Sequence, residues 1–131
     1  NELIEAAGGL KEGCEKVISG GPMMGFAMYT TDTPITKTSS SILCMSKDEV
    51  SACEPTACIN CGRCVDACPS RIIPSRLADF AERHDEEAFL KFNGLECVEC
   101  GSCSYVCPAK RQLKQAIGSM RKTALANKKK K

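Results

Sequence analysis

The chain is poor in aromatic side chains: no Trp, two Tyr and four Phe in 131 residues. So few large side chains cannot fill a large hydrophobic core, so some other device must staple the fold. The same scarcity argues against a nucleic-acid surface, because no stacking residues are interleaved with the lysines near the C-terminus. No run of 18 apolar residues occurs, so no transmembrane helix is expected. No signal peptide opens the chain, which removes the expectation of a secreted disulfide framework. The first residue is Asn1 rather than Met, and an excised fragment or processed product is expected.

Cysteine, in contrast, is abundant, with 11 residues. Eight of them fall in two copies of one pattern, Cys58-Ile-Asn-Cys-Gly-Arg-Cys-Val-Asp-Ala-Cys-Pro69 and Cys97-Val-Glu-Cys-Gly-Ser-Cys-Ser-Tyr-Val-Cys-Pro108. The copies lie 39 residues apart and agree at all four Cys, the Gly and the Pro. C-x2-C-x2-C-x3-C-P is the ligand run of two-cluster iron–sulfur proteins, in which the fourth Cys reaches the other cluster. The spacing therefore assigns Cys58, Cys61, Cys64 and Cys107 to a first [4Fe–4S] cluster. Cys97, Cys100, Cys103 and Cys68 go to a second. Gly62 and Gly101 follow the middle ligand, where a side chain would crowd a cube and backbone N–H groups can approach sulfur. Pro69 and Pro108 lack an N–H and favour ending the turn that carries the fourth ligand.

Other readings of these cysteines fit less well. Structural zinc shows two C-x2-C pairs with a longer spacer, not three evenly spaced Cys and a Cys-Pro. A plant-type single cluster would use Cys53, Cys58 and Cys61 in C-x4-C-x2-C. The position equivalent to Cys53 in the second copy is Phe92, so Cys53 stands outside the repeat. Cys14, Cys44 and Cys53 read as free thiols, and the cysteine usage implies a reducing, cytoplasmic setting. His84 is the only His and reads as a helix-face residue rather than a ligand.

Charge divides the chain sharply. Residues 1–108 hold 9 Lys+Arg against 16 Asp+Glu, whereas residues 109–131 hold nine Lys+Arg and no acid. The basic end is either a solvated helix end, with cations favoured near its C-terminus, or an arm for an acidic partner or an anionic membrane surface.

The expected fold class is α+β. Asn1 can cap a short helix through Ala7, which Gly8-Gly9 would end. Val17-Ile18 is a strand candidate, followed by a turn at Ser19-Gly20-Gly21-Pro22. Gly20-Gly-Pro-Met-Met-Gly25 is not G-x-G-x-x-G, so no dinucleotide loop is expected; it reads as a turn packed by Met23 and Met24. Thr30 to Leu43 reads as extended chain broken at Pro34. Ser46 to Ala57 reads as a linker.

Between the runs, Ser75 can cap a helix with Leu77, Phe80, Ala81 and His84 on one face. Asp85, Glu86 and Glu87 open a second helix, in which Ala88, Phe89 and Phe92 pack and which Asn93-Gly94 stops. The last helix spans about Ala109 to Ala126, with Leu113, Ile117, Met120 and Ala124 as its apolar stripe. Three segments follow: 1–45, 46–118 as a helical dicluster [4Fe–4S] ferredoxin-like domain, and 119–131 as a basic helix end and tail.

These stretches resemble the C subunit of the Rnf electron-transport complex. The matching residues are Val17-Ile-Ser-Gly-Gly-Pro-Met-Met-Gly-Phe-Ala27, Pro34-Ile-Thr-Lys37, Gly94-Leu-Glu-Cys97 and both cysteine runs. The resemblance implies that residues 1–45 are part of a soluble-ligand-binding β-grasp segment. It implies a peripheral subunit on the cytoplasmic face of the bacterial inner membrane, with other subunits of a membrane complex as partners. That complex exchanges electrons between ferredoxin and NAD(H) through flavin and couples them to ion transport. FMN and NAD(H) would bind outside this stretch. An iron–sulfur subunit of a quinone-linked dehydrogenase, a soluble dicluster carrier and a non-redox zinc module remain as alternatives.

Overall fold

The computed structural model describes residues 1–130. They fold as two compact units, residues 1–53 and the described residues from 54 on, and the class is α+β.

The first unit is a thin sheet. Helix α1 (Glu2–Ala6) precedes strands β1 (Lys16–Ser19), β2 (Phe26–Ala27) and β3 (Ile42–Met45), in the order β2-β1-β3. Both neighbours run antiparallel to β1, with Ile18 opposite Ala27 and Leu43. Asn1 precedes α1 but caps it with no side-chain bond; its Oδ1 accepts instead from the Thr31 hydroxyl. Gly20 to Gly25 form the connection from β1 to β2. A Cβ at Gly25 would lie 2.5 Å from the Gly21 carbonyl oxygen and 2.6 Å from Ile18 Cγ2, so the chain passes there only as glycine. Met23 and Met24 do not pack this turn as expected; both are exposed. Ile18 is the buried hydrophobic side chain of this unit. Lys16 Nζ pairs with Asp48 at 2.7 Å, and this bond holds the Asp48 carboxyl below the usual range.

The second unit is helical and built from a duplicated piece. Helix α2 (Arg63–Asp66) lies inside the first cysteine run and α5 (Ser102–Tyr105) inside the second. Helix α3 (Pro74–Glu82) follows the first run and the long helix α6 (Leu113–Lys130) follows the second. Every start is displaced by the same 39 residues as the cysteines. Backbone detail repeats too: Asn60 and Glu99, and Arg71 and Lys110, are paired left-handed residues at equivalent positions. Helix α3 packs on α6, and α2 on α5, so the halves face each other.

Between them, α4 (Glu86–Lys91) begins at Asp85, whose side chain accepts from the Ala88 N–H at 2.9 Å. A 3-10 turn at Gly94–Glu96 leads into the second run. Leu77, Phe89, Leu113, Ile117 and Met120 form the core, with Ala124 buried farther along the α6 stripe. This core is small, and Cys103 is part of it while Cys64, Cys68, Cys97 and Cys107 pack against it.

Three local expectations change. Pro74, not Ser75, opens α3, because a Pro at the first helical position already has the right φ and no N–H to satisfy. His84 is not on the α3 face; the helix ends at Glu82, and His84 is exposed in a left-handed turn. The last helix starts at Leu113 rather than Ala109, since Lys110 is left-handed.

Candidate metal centre

Each cysteine run wraps a short helix end. Cys58 and Cys61 lie in the loop before α2, Cys64 within it and Cys68 just past it. Cys97, Cys100, Cys103 and Cys107 repeat this on α5. Gly62 and Gly101 stand just before the two helices with φ of 77° and 85°. That left-handed turn aims successive sulfurs to one side, and a residue with Cβ would hold it under strain.

Two cavities collect the thiols. The first, of about 110 Å³, is lined by Cys58, Cys61 and Cys64 and by Cys107 from the other run, with Arg111 and Leu113 beside them. The second, of about 20 Å³, is lined by Cys97, Cys100 and Cys103 and by Cys68, with Glu99 and Lys114 in its wall. Each run therefore supplies three thiols to its own cavity and one to its neighbour's. A backbone bond from the Thr56 N–H to the Ala109 carbonyl, 2.9 Å, ties the approach to the first run to the end of the second.

Among the described residues, no three His, Cys, Asp or Glu side chains converge tightly enough to hold a single metal ion. The donor set fits an iron–sulfur cube: four soft thiols line each cavity.

The two cavities differ in exposure. Cys58 and Cys61 are exposed, while Cys103 is buried. Burial pushes the Cys103 thiol up to about 11 and raises that of Cys97. A hydrogen bond to Ser102 lowers that of Cys100. The Glu99 N–H donates to Cys97 Sγ at 3.4 Å, the type of contact by which a protein backbone steadies a ligating sulfur. Buried thiols of this sort lose their proton to a metal far more readily than to water.

Two arginines brace the centre with three ion pairs, and local sequence pattern gave no sign of them. Arg111 lies between Asp79 and Glu82 of α3, each 2.9 Å away. Partial burial works against its charge, but the hydrogen bonds it donates to Asp79 and Glu82 more than offset this and keep the guanidinium protonated. Arg121 of α6 pairs with Glu99 at 3.2 Å and donates from Nε to the Leu95 carbonyl. The Ser104 hydroxyl accepts from the Lys114 N–H at 2.9 Å, satisfying an amide in the first turn of α6.

A family profile described as a 4Fe-4S dicluster domain matches residues 57–111, the stretch that holds both cysteine runs. Over 128 residues the chain is 42% identical to the C subunit of the Na(+)-translocating ferredoxin:NAD(+) oxidoreductase complex of Acetobacterium woodii. Over 117 residues it is 50% identical to the C subunit of the proton-translocating ferredoxin:NAD(+) oxidoreductase complex of Clostridium ljungdahlii. The C subunit of an ion-translocating oxidoreductase complex of Methanosarcina acetivorans is 46% identical over 116 residues. The chain belongs to the family of these C subunits. The alignments take in 98%, 88% and 88% of the chain, so the sheet unit is included and the likeness is not confined to the cysteines. They span 29%, 26% and 26% of the relatives, so most of a C subunit has no counterpart in this chain. No helix among the described residues is long and apolar enough to cross a membrane.

Proposed function

We propose that the chain is the electron-relay segment of the C subunit of an ion-translocating ferredoxin:NAD oxidoreductase complex, and that it holds two [4Fe–4S] clusters. One observation carries the reading: two neighbouring cavities, each lined by three thiols of one run and one of the other. Cys58, Cys61, Cys64 and Cys107 hold the first cluster; Cys97, Cys100, Cys103 and Cys68 hold the second. The clusters supply one-electron chemistry. The chain supplies ligands, backbone N–H donors to sulfur, and a helix pair that keeps the two sites adjacent. Cys68 and Cys107 join the halves, so neither site can shift without the other.

Its partners are the other subunits of the complex at the cytoplasmic face of the membrane. The FMN and NAD(H) of the full subunit belong to portions outside this chain. The test is composition: anaerobically prepared protein should contain about eight iron and eight sulfide per chain. Stoichiometric zinc without sulfide would sink the reading.

The basic end contributes to docking on a partner or an anionic surface. Met120 and Ala124 are buried and Arg121 is bonded to Glu99, so the free arm begins later than these. Asn127 also bonds to Glu86 at 2.7 Å. Lys128, Lys129 and Lys130 are exposed in the last turn of α6; Lys131 lies outside the described residues. Deleting residues 128–131 should leave iron content intact and weaken co-sedimentation with anionic vesicles at low salt. The difference should fade as salt rises and screens exposed charge. Equal binding of both forms at low salt would leave the lysines as a solvated helix end that complements the dipole.

A further inference from the structure

The duplication that relates the two halves breaks its symmetry in charge. Asn60 in the first copy becomes Glu99 in the second, and Ile72 becomes Arg111. On the long helices, Asp79 and Glu82 of α3 become Gly118 and Arg121 of α6. The four changes form two matched sets. In the first cavity the wall carries Arg111, answered by the carboxylates of α3. In the second the wall carries Glu99, answered by the guanidinium of α6. The two sites thus carry wall charges of opposite sign, each answered from the long helix of its own half: Arg111 by two carboxylates, Glu99 by one guanidinium.

The Glu99 set is tightly arranged. Glu99 adopts φ of 54° and gives its N–H to Cys97 Sγ, a ligand of the second site. Its carboxylate rests against α6 where Gly118 leaves room: a Cβ there would come within 3.0 Å of Oε2. Arg121 Nη1 meets Oε1 at 3.2 Å, while Nε holds the Leu95 carbonyl at 3.1 Å. One guanidinium therefore fixes both the residue inside the second run and the turn that leads into it. Glu99 and Arg121 side chains are 24% and 31% exposed, so water screens the pair only in part. Lys114 also lines this cavity and keeps its place in every variant compared below.

We propose that Arg121 is a positioning residue for the second cluster: it fixes Glu99 in the cavity wall, cancels its charge and so sets the reduction potential of that cluster alone. The inference rests on the two-cluster reading above. Reduction adds negative charge to a cluster, so an uncancelled carboxylate at the wall disfavours it. Loss of Arg121 should lower the potential. Loss of the carboxylate, with Arg121 left in place, should raise it.

The test is a redox titration followed by electron paramagnetic resonance, with iron and sulfide measured on each sample. The proteins are wild type, Arg121→Gln, Glu99→Gln and the double variant, with signals assigned through Cys68→Ser and Cys107→Ser. The second cluster should shift down in Arg121→Gln, up in Glu99→Gln, and return near wild type in the double variant. The first cluster should not move. A merely structural prop would not give opposite signs or a restored double variant. Full iron content with an unmoved second potential in Arg121→Gln overturns the inference and leaves the reading intact. So do shifts of one sign in both single variants. A wild type without two reducible clusters overturns both.

Discussion

Cys107→Ser should abolish the cluster of the first run and spare that of its own. Cys107 lies past α5, in the second run, yet it lines the cavity of Cys58, Cys61 and Cys64. Cys68→Ser should do the reverse, since Cys68 lines the cavity of Cys97, Cys100 and Cys103. Iron should fall from about eight to about four per chain in each variant, because a four-iron cube needs all its thiolates. Serine keeps the size of the side chain, so the helical scaffold need not be disturbed. The surviving cluster is the informative readout. Its resonance spectrum in Cys107→Ser should match the signal lost in Cys68→Ser, and conversely. If each substitution removes only the cluster of its own run, the crossed assignment is wrong and the two runs are independent sites.

The effect should be unequal in one respect. Cys103 belongs to the core and Cys97 packs against it, whereas Cys58 and Cys61 are exposed. Emptying the second site leaves the buried Cys103 unligated beside Ile117; emptying the first leaves two of its four thiols, Cys58 and Cys61, on the surface. Cys68→Ser should therefore lower the unfolding midpoint more than Cys107→Ser does, as metal sites in small cores carry part of the folding free energy.

The grouping of thiols around two cavities was legible in the sequence because its information is local and repeated. Spacing within a run fixes which sulfurs face together, and a second copy in register makes coincidence a poor account. The α6 stripe was legible for a similar reason: Leu113, Ile117, Met120 and Ala124 keep helical spacing, and all four are buried. The Asp85 cap and the stop at Asn93, which is left-handed, were also written locally.

What escaped depends on distance or on competition. Arg111 meets Asp79 and Glu82 across 32 and 29 residues, and Arg121 meets Glu99 across 22, so no local pattern announces them. Apart from Asn60 and Glu99, the charge exchange shows only when the two copies are compared position by position beyond Pro69 and Pro108. The segments there share no letters, Arg71-Ile-Ile-Pro74 against Lys110-Arg-Gln-Leu113, although each opens on a left-handed residue and ends at a helix start. Ser75 and Pro74 competed for the start of α3, and the fixed φ of proline won. Strand β2 has two residues and no periodicity to read. The opposing charges within the runs themselves, Arg63 and Glu99, do not occupy equivalent positions, and Glu99 is answered by Arg121.

Gly94→Ala should be among the most damaging single-methyl changes in the chain. A Cβ at Gly94 would lie 2.3 Å from Cε1 of Phe89 and 2.5 Å from Cδ1 and Cζ, an overlap no rotamer of alanine can relieve. Phe89 is 0% exposed, so its ring has nowhere to retreat. Overpacking of this kind costs about 1–3 kcal/mol and sometimes more. That is a large share of the roughly 5–15 kcal/mol that holds a domain folded. The damage reaches the metal centre, because Gly94 opens the turn that delivers Cys97, whose N–H bonds to the Gly94 carbonyl.

Phe89→Ala by itself should cost about 3–5 kcal/mol by emptying the core. The double variant separates the two mechanisms. With the ring gone, the added methyl at position 94 meets a cavity, so the pair should cost clearly less than the sum of the single changes. Denaturant unfolding of the iron-loaded protein, followed by far-ultraviolet circular dichroism and by cluster absorbance, measures all three. Strict additivity would mean that Gly94 is required for its backbone and not for the space it leaves to Phe89.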